Sequence, residues 1–262
     1  MNSDDKHPTP TPRAMQWRLG AILWLLGMAC MFAPILWALL LRWTSFQEAL
    51  FVLLVSNLLY AGLAYAVLLA LAVAVGVALA PRVGLAAPAL SAWIGRRPVW
   101  PALRPQLTPG LCGGLAGAAW LWVLARNTPE VLRPPPSAPE HAAAFIPAKL
   151  LVGITDELFM RWTVMTLLLW LVWRLLQRGQ GAPGRGLLST AVVLSALCSA
   201  ALTCLSTAQA MEGVLMTPPV LAFLLLGNTV FGLVMGALYA RYGFEAAILA
   251  HTLALALSQS FL

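Results

Sequence analysis

Asp156, Glu157 and Arg161 lie within six residues of one another in the string I-T-D-E-L-F-M-R-W, inside an apolar run from about 150 to 173. A charge at the centre of a membrane helix costs roughly 2.5 to 3.5 kcal/mol on insertion scales, so three in one span need compensation. Glu157 and Arg161 are four apart with the acid first, the favourable order for a helical ion pair. On an ideal α-helix Asp156 stands about 100° around the axis from Glu157 and about 140° from Arg161. The spacing therefore predicts one paired carboxylate and one that points elsewhere. An unpaired carboxylate in a low-dielectric interior is a candidate general base or acid. The alternative is a polar clamp, with Asp156 hydrogen-bonded to a Ser, Thr or Asn of a neighbouring helix. Asn228 and His251 are the other notable polar residues at depth, and both serve either reading.

The elements that must hold these residues follow from composition. The chain has 262 residues, 61% hydrophobic and 10% charged, with a mean hydropathy of +0.84. A soluble core of this length would not show such values. The net charge of +7 comes from basic residues in short loops between apolar stretches, which fits membrane topology and not a nucleic-acid-binding face. Cys30, Cys112, Cys198 and Cys204 have no C-x-x-C or zinc-like spacing and read as small packing residues.

Apolar runs at about 19–41, 50–80, 108–125, 150–173, 187–208, 219–240 and 244–262 predict an all-α polytopic bundle of about seven transmembrane helices. The first run follows Lys6, Arg13 and Arg18 but lacks a small-residue cleavage site, so it reads as a retained helix. The second exceeds what a bilayer requires and must tilt, kink or emerge; the third is short and glycine-rich. Residues 81–107 carry Arg82, Arg96, Arg97 and Arg104, and 174–186 carry Arg174, Arg178 and Arg185, with no acid in either segment. Both are expected in the cytoplasm. The alternate loops hold Arg42 with Glu48, then Arg126, Arg133 and Lys149 with Glu130 and Glu140, then Glu212. Seven spans with a cytoplasmic N-terminus satisfy this alternation, and the absence of organelle signals points to a bacterial inner (plasma) membrane. Residues 1–18 form the tail and 19–262 a single transmembrane domain. The R-P-P-P-S-A-P stretch from Arg133 to Pro139 reads as a stiff loop, and Gly113/Gly117 and Gly232/Gly236 give the spacing for close helix approach.

The D-E-x-x-x-R string resembles the E-E-x-x-x-R motif of the CPBP (CAAX protease and bacteriocin-processing) family of intramembrane proteases, with Asp156, Glu157 and Arg161 on its fixed positions. The stretch G-N-T-V-F-G-L-V-M-G-A-L-Y-A-R-Y-G-F-E-A-A-I-L-A-H, Gly227 to His251, is similar to the family's last two helices, with Asn228 and His251 at the polar positions. The resemblance covers a core of about 144–262. It implies a glutamic-type endopeptidase in which a carboxylate and a histidine of the next span activate water, while a late histidine and an asparagine stabilise the oxyanion. Asp156 would then be the base, Glu157 and Arg161 its tuning pair, and Asn228 and His251 the oxyanion donors. It implies no cofactor and no metal. The partners expected are the lipid bilayer and a hydrophobic or membrane-embedded peptide, with no nucleic acid.

The sequence departs from the family's pattern at three positions. The base is Asp, which retracts the carboxylate by on the order of 1.5 Å, and a misplacement of about 1 Å can cost about 100-fold in rate. The F-x-x-x-H motif aligns with Thr203 to Thr207, which puts Thr207 where the histidine belongs. The polar position four after the last histidine is Leu255. Two functional readings follow: an intramembrane endopeptidase whose activity is weakened or lost, and a non-catalytic binding or scaffold protein on the same fold. A proton-coupled carrier would use the same residues as a relay, but no inverted repeat is visible. A Ser206 or Thr207 dyad with His251 lacks a G-x-S-x-G, H-E-x-x-H is absent, and aspartic catalysis needs a second membrane aspartate.

Overall fold

The computed structural model describes residues 12–41, 48–133, 150–151, 153–210 and 216–258, and contains no strand among them. Residues 1–11, the Pro-rich stretch beyond Arg133, and Arg42, Glu140, Lys149, Glu212, His7 and His141 lie outside the described residues. The helices are α1 (Pro12–Leu41), α2 (Glu48–Leu79), α3 (Pro88–Ile94), α4 (Trp100–Arg126), α5 (Gly153–Leu176), α6 (Arg185–Ala210), α7 (Pro218–Tyr242) and α8 (Phe244–Ser258). Six are long and apolar enough to cross a membrane and α8 is a shorter apolar helix, so the chain is a polytopic membrane helical bundle. Leucines such as Leu63, Leu68 and Leu175 are exposed on its outside, as a lipid-facing surface requires. Arg126 lies over Trp122, Arg174 over Trp170 and Arg241 over Tyr242, pairing cations with aromatic rings near span ends where the two are enriched at membrane interfaces.

Two expectations about individual spans change. The run at 50–80 is one continuous 32-residue helix closed by a 3-10 turn at Ala80–Val83; at ~1.5 Å per residue it is longer than the ~30 Å hydrocarbon core. The third span starts at Trp100, not at 108, with Pro101 in its first turn and Arg104, Pro105 and Pro109 inside it. Hydropathy hid this extension because arginine and prolines dilute its apolar signal. It matters because α4 is the main packing partner of α8.

That packing is close because α4 turns glycines toward its neighbours. A Cβ on Gly113 would lie 2.5 Å from a Leu238 methyl group, and one on Gly117 3.0 Å from Ala254 and Phe231. In α7, Gly232 and Gly236 approach Ala196 and Val192 of α6 in the same way, so both G-x-x-x-G pairs mark real helix contacts. The start of α8 is fixed by side chains. Gln106, 2% exposed, accepts from the Ala246 N–H at 3.0 Å, and Glu245 accepts from the Leu90 N–H at 2.8 Å. The Phe244 N–H donates to the Ala86 carbonyl. These bonds satisfy donors that a helix N-terminus leaves open.

Candidate active site

Helix α5 departs from α geometry where its charged residues fall. Leu158–Met165 is π-helical, and the Thr163 and Thr166 hydroxyls donate to the carbonyls five residues back, Leu158 and Arg161. A π turn is rare, and where it occurs it is frequently at a functional site. Asp156 and Glu157 just before this segment and Met160 and Arg161 within it line one cavity. Asp156 and Arg161 therefore share a face, where ideal α geometry predicts separation. Trp162 turns to the opposite side, into a core of Tyr239 and Phe244, where the Tyr239 and Thr166 hydroxyls lie 3.0 Å apart.

The cavity is about 450 Å³ and is lined by all five residues singled out in the sequence: Asp156, Glu157, Arg161, Asn228 and His251. Its walls come from α4, α5, α6, α7 and α8. The two carboxylates differ as the spacing predicts, one paired and one pointing elsewhere. Glu157 is the buried one, 1% exposed, with Arg161 Nε 3.6 Å from Oε2 and His251 Nδ1 2.8 Å from Oε1. Asp156 is exposed toward the cavity and lies within electrostatic reach of His251, Glu157 and Arg161. The reason is positional: Glu157 enters the π segment at its wall against α8, while Asp156 sits just before it, at the accessible rim.

His251 is 8% exposed. Its ring meets the Phe231 ring edge-on at 4.9 Å, and Gly153 leaves room for it, since a Cβ there would lie 3.2 Å from His251 Cδ2. Asn228 lines the cavity with its amide nitrogen donating to the Leu224 carbonyl at 2.8 Å. Trp120 of α4 donates to the Gly227 carbonyl at 2.8 Å, tying α4 to the cavity wall of α7.

Thr207, the position assigned to the absent histidine, does not line the cavity; Thr203 and Ser199, about one and two turns earlier on α6, do. On α6 the cavity therefore meets hydroxyls and no imidazole. Polar residues four apart in an apolar helix were the available signal for Ser199 and Thr203. Leu121, Leu124 and Leu255 also line the cavity, and nothing separates them in sequence from core leucines. Among the described residues no three His, Cys, Asp or Glu side chains converge as a metal-binding set.

The arrangement offers an accessible carboxylate, an imidazole tied to a second carboxylate, a buried guanidinium and an amide around one hollow. These are the groups that water activation and stabilisation of a developing oxyanion use. Residues 138–257 match the family model described as "Type II CAAX prenyl endopeptidase Rce1-like", an interval that contains every polar residue of the cavity. No curated protein and no solved structure matches the chain. Over residues 138–257, then, the chain is similar to the Rce1-like CAAX prenyl endopeptidases, in line with the resemblance to the CPBP family.

Proposed function

We propose that this protein is an intramembrane endopeptidase that hydrolyses a peptide bond in or near the bilayer, with Asp156 holding the attacking water. The observation that carries this reading is the convergence of Asp156, Glu157, Arg161, Asn228 and His251 on one cavity inside the Rce1-like interval. Asp156 is the accessible carboxylate and so the one that meets water and substrate. Glu157 and Arg161 form a buried pair whose desolvation would be wasteful as a purely stabilising device. Asn228 and Arg161 line the same cavity and would be the donors for the charge that develops on the carbonyl oxygen. The lining is otherwise largely apolar, which suits a hydrophobic segment or a lipid-modified tail as substrate.

The same reading sets the protein in a bacterial inner membrane with its N-terminus in the cytoplasm. The Phe244 to Ala86 and Leu90 to Glu245 bonds put the arginine-rich 81–99 connection and the α7–α8 turn at one end of the bundle, as that topology requires.

A second reading has a specific observation in its favour: α6 presents Ser199 and Thr203, not a histidine, to the cavity. A non-catalytic protein of this fold would hold a hydrophobic peptide there without cutting it. The two are separated by incubating the purified protein in nanodiscs with a library of membrane-spanning and lipid-modified peptides and reading products by mass spectrometry. New termini beside an apolar segment are the expected result. A library retained by the protein but recovered intact would establish the binding reading instead.

A further inference from the structure

The bond between Glu157 and His251 fixes which histidine nitrogen carries the proton, and this changes the role open to that residue. Glu157 Oε1 lies 2.8 Å from His251 Nδ1, and Arg161 is the counterion of the same carboxylate. A carboxylate only accepts, so Nδ1 must be the protonated nitrogen, and a neutral imidazole then carries its lone pair on Nε2. Because His251 lines the cavity shared with Asp156, its neutral form offers the cavity an acceptor and no N–H. A group in that state cannot donate to an oxyanion, which is the role the family resemblance gives it. It can accept a proton from water.

We infer that His251 is the second water-activating group of this site, performing the task for which α6 supplies no histidine, and that Glu157 is its positioning residue. The inference rests on the endopeptidase reading. Asp156 and His251 Nε2 hold one water between them. As the water oxygen bonds to the scissile carbonyl carbon, Nε2 takes a proton from it and the carbonyl π pair moves onto oxygen. Asn228 and Arg161 face that charge. Collapse re-forms the carbonyl and breaks the C–N bond, and the proton on Nε2 passes to the leaving amine. One water is consumed and His251 returns to its starting tautomer. Glu157 stabilises the transient imidazolium from behind, as the orienting carboxylate does in Ser-His-Asp triads, where amide replacement gives the wrong tautomer and about a 10⁴-fold loss.

The test reads the tautomer itself. The chain has three histidines, so nitrogen-15 NMR of histidine-labelled, full-length protein in nanodiscs can be assigned by subtraction with His251→Gln. The wild type is expected to show a protonated Nδ1 and an unprotonated Nε2. Glu157→Gln, whose amide can donate to Nδ1, should raise the Nε2–H form at least tenfold and lower kcat by two to four orders of magnitude with KM little changed. Glu157→Asp should restore the wild-type tautomer and part of the rate, and it serves if Glu157→Gln does not fold. An Nε2–H tautomer in a wild type that cleaves peptides overturns this inference and leaves the endopeptidase reading intact. The Nδ1–H tautomer in a protein that cleaves nothing overturns both.

Discussion

Glu157 and His251 stand 94 residues apart in the chain and share a 2.8 Å hydrogen bond in a buried corner of the cavity. That contact joins α5, at the start of its π-helical segment, to α8, whose place is set by its packing on α4 and by its first turn. The glycines of α4 let α8 approach, and Gln106 and Glu245 anchor its first turn. The charged motif and the late histidine form one site through this packing.

Arg161 neutralises a carboxylate that is 1% exposed. Arg161→Leu should destabilise the protein by about 3–5 kcal/mol, because an uncompensated buried charge remains. Pairing it with Glu157→Gln should recover much of that loss. Thermal unfolding of the single and double variants in nanodiscs checks both; equal destabilisation of the two would contradict the pairing.

Gln106→Ala leaves the buried Ala246 N–H without its acceptor, a cost of about 1–3 kcal/mol. The local consequence should exceed the global one. Hydrogen exchange at the first turn of α8 is expected to accelerate while α6 is unaffected, and catalytic rate should fall as His251 loses its fixed position. Unchanged exchange at Ala246 would remove Gln106 from the account.

Ser199 and Thr203 replace Thr207 as the α6 residues facing the cavity, so a restored imidazole has a defined address. Thr203→His should change turnover by about 10²-fold or more if it adds a positioned base. Thr207→His should leave turnover within a few-fold of wild type. Side-by-side cleavage kinetics decide the register, and the reverse ranking would restore the original alignment.

Gly76 of α2 faces the π segment, where a Cβ would lie 2.6 Å from the Trp162 carbonyl oxygen and against the indole ring. Backbone cannot move aside as a side-chain tip can. Gly76→Ala should cost about 1–3 kcal/mol by overpacking and disturb Arg161 next door, which a fall in both melting temperature and activity would show.

The span pattern was legible because bilayer burial is written in hydropathy, and Asp156, Glu157, Arg161, Asn228 and His251 stood out because polar residues at depth are costly. Their convergence was readable only through resemblance. The pairing of Glu157 with Arg161 was legible in their spacing, but the shared face of Asp156 and Arg161 was not, since the π segment from Leu158 to Met165 has no sequence signature of its own. The cavity-facing positions of α6 were not legible for a related reason: threonines at 203 and 207 are alike in composition, and only the packed structure shows that Thr203 lines the cavity. The early start of α4 was masked by Arg104 and by Pro105 and Pro109, residues that argue against a span when read alone.

The central claim is that Asp156 holds the water that cleaves the peptide, and single-turnover cleavage of the best peptide by wild type and Asp156→Asn in nanodiscs tests it most directly. The account predicts a loss of at least about 10²-fold in the variant, the size of the effect of misplacing a reacting group by about 1 Å, with peptide affinity and melting temperature preserved. Cleavage by Asp156→Asn at the wild-type rate would contradict it.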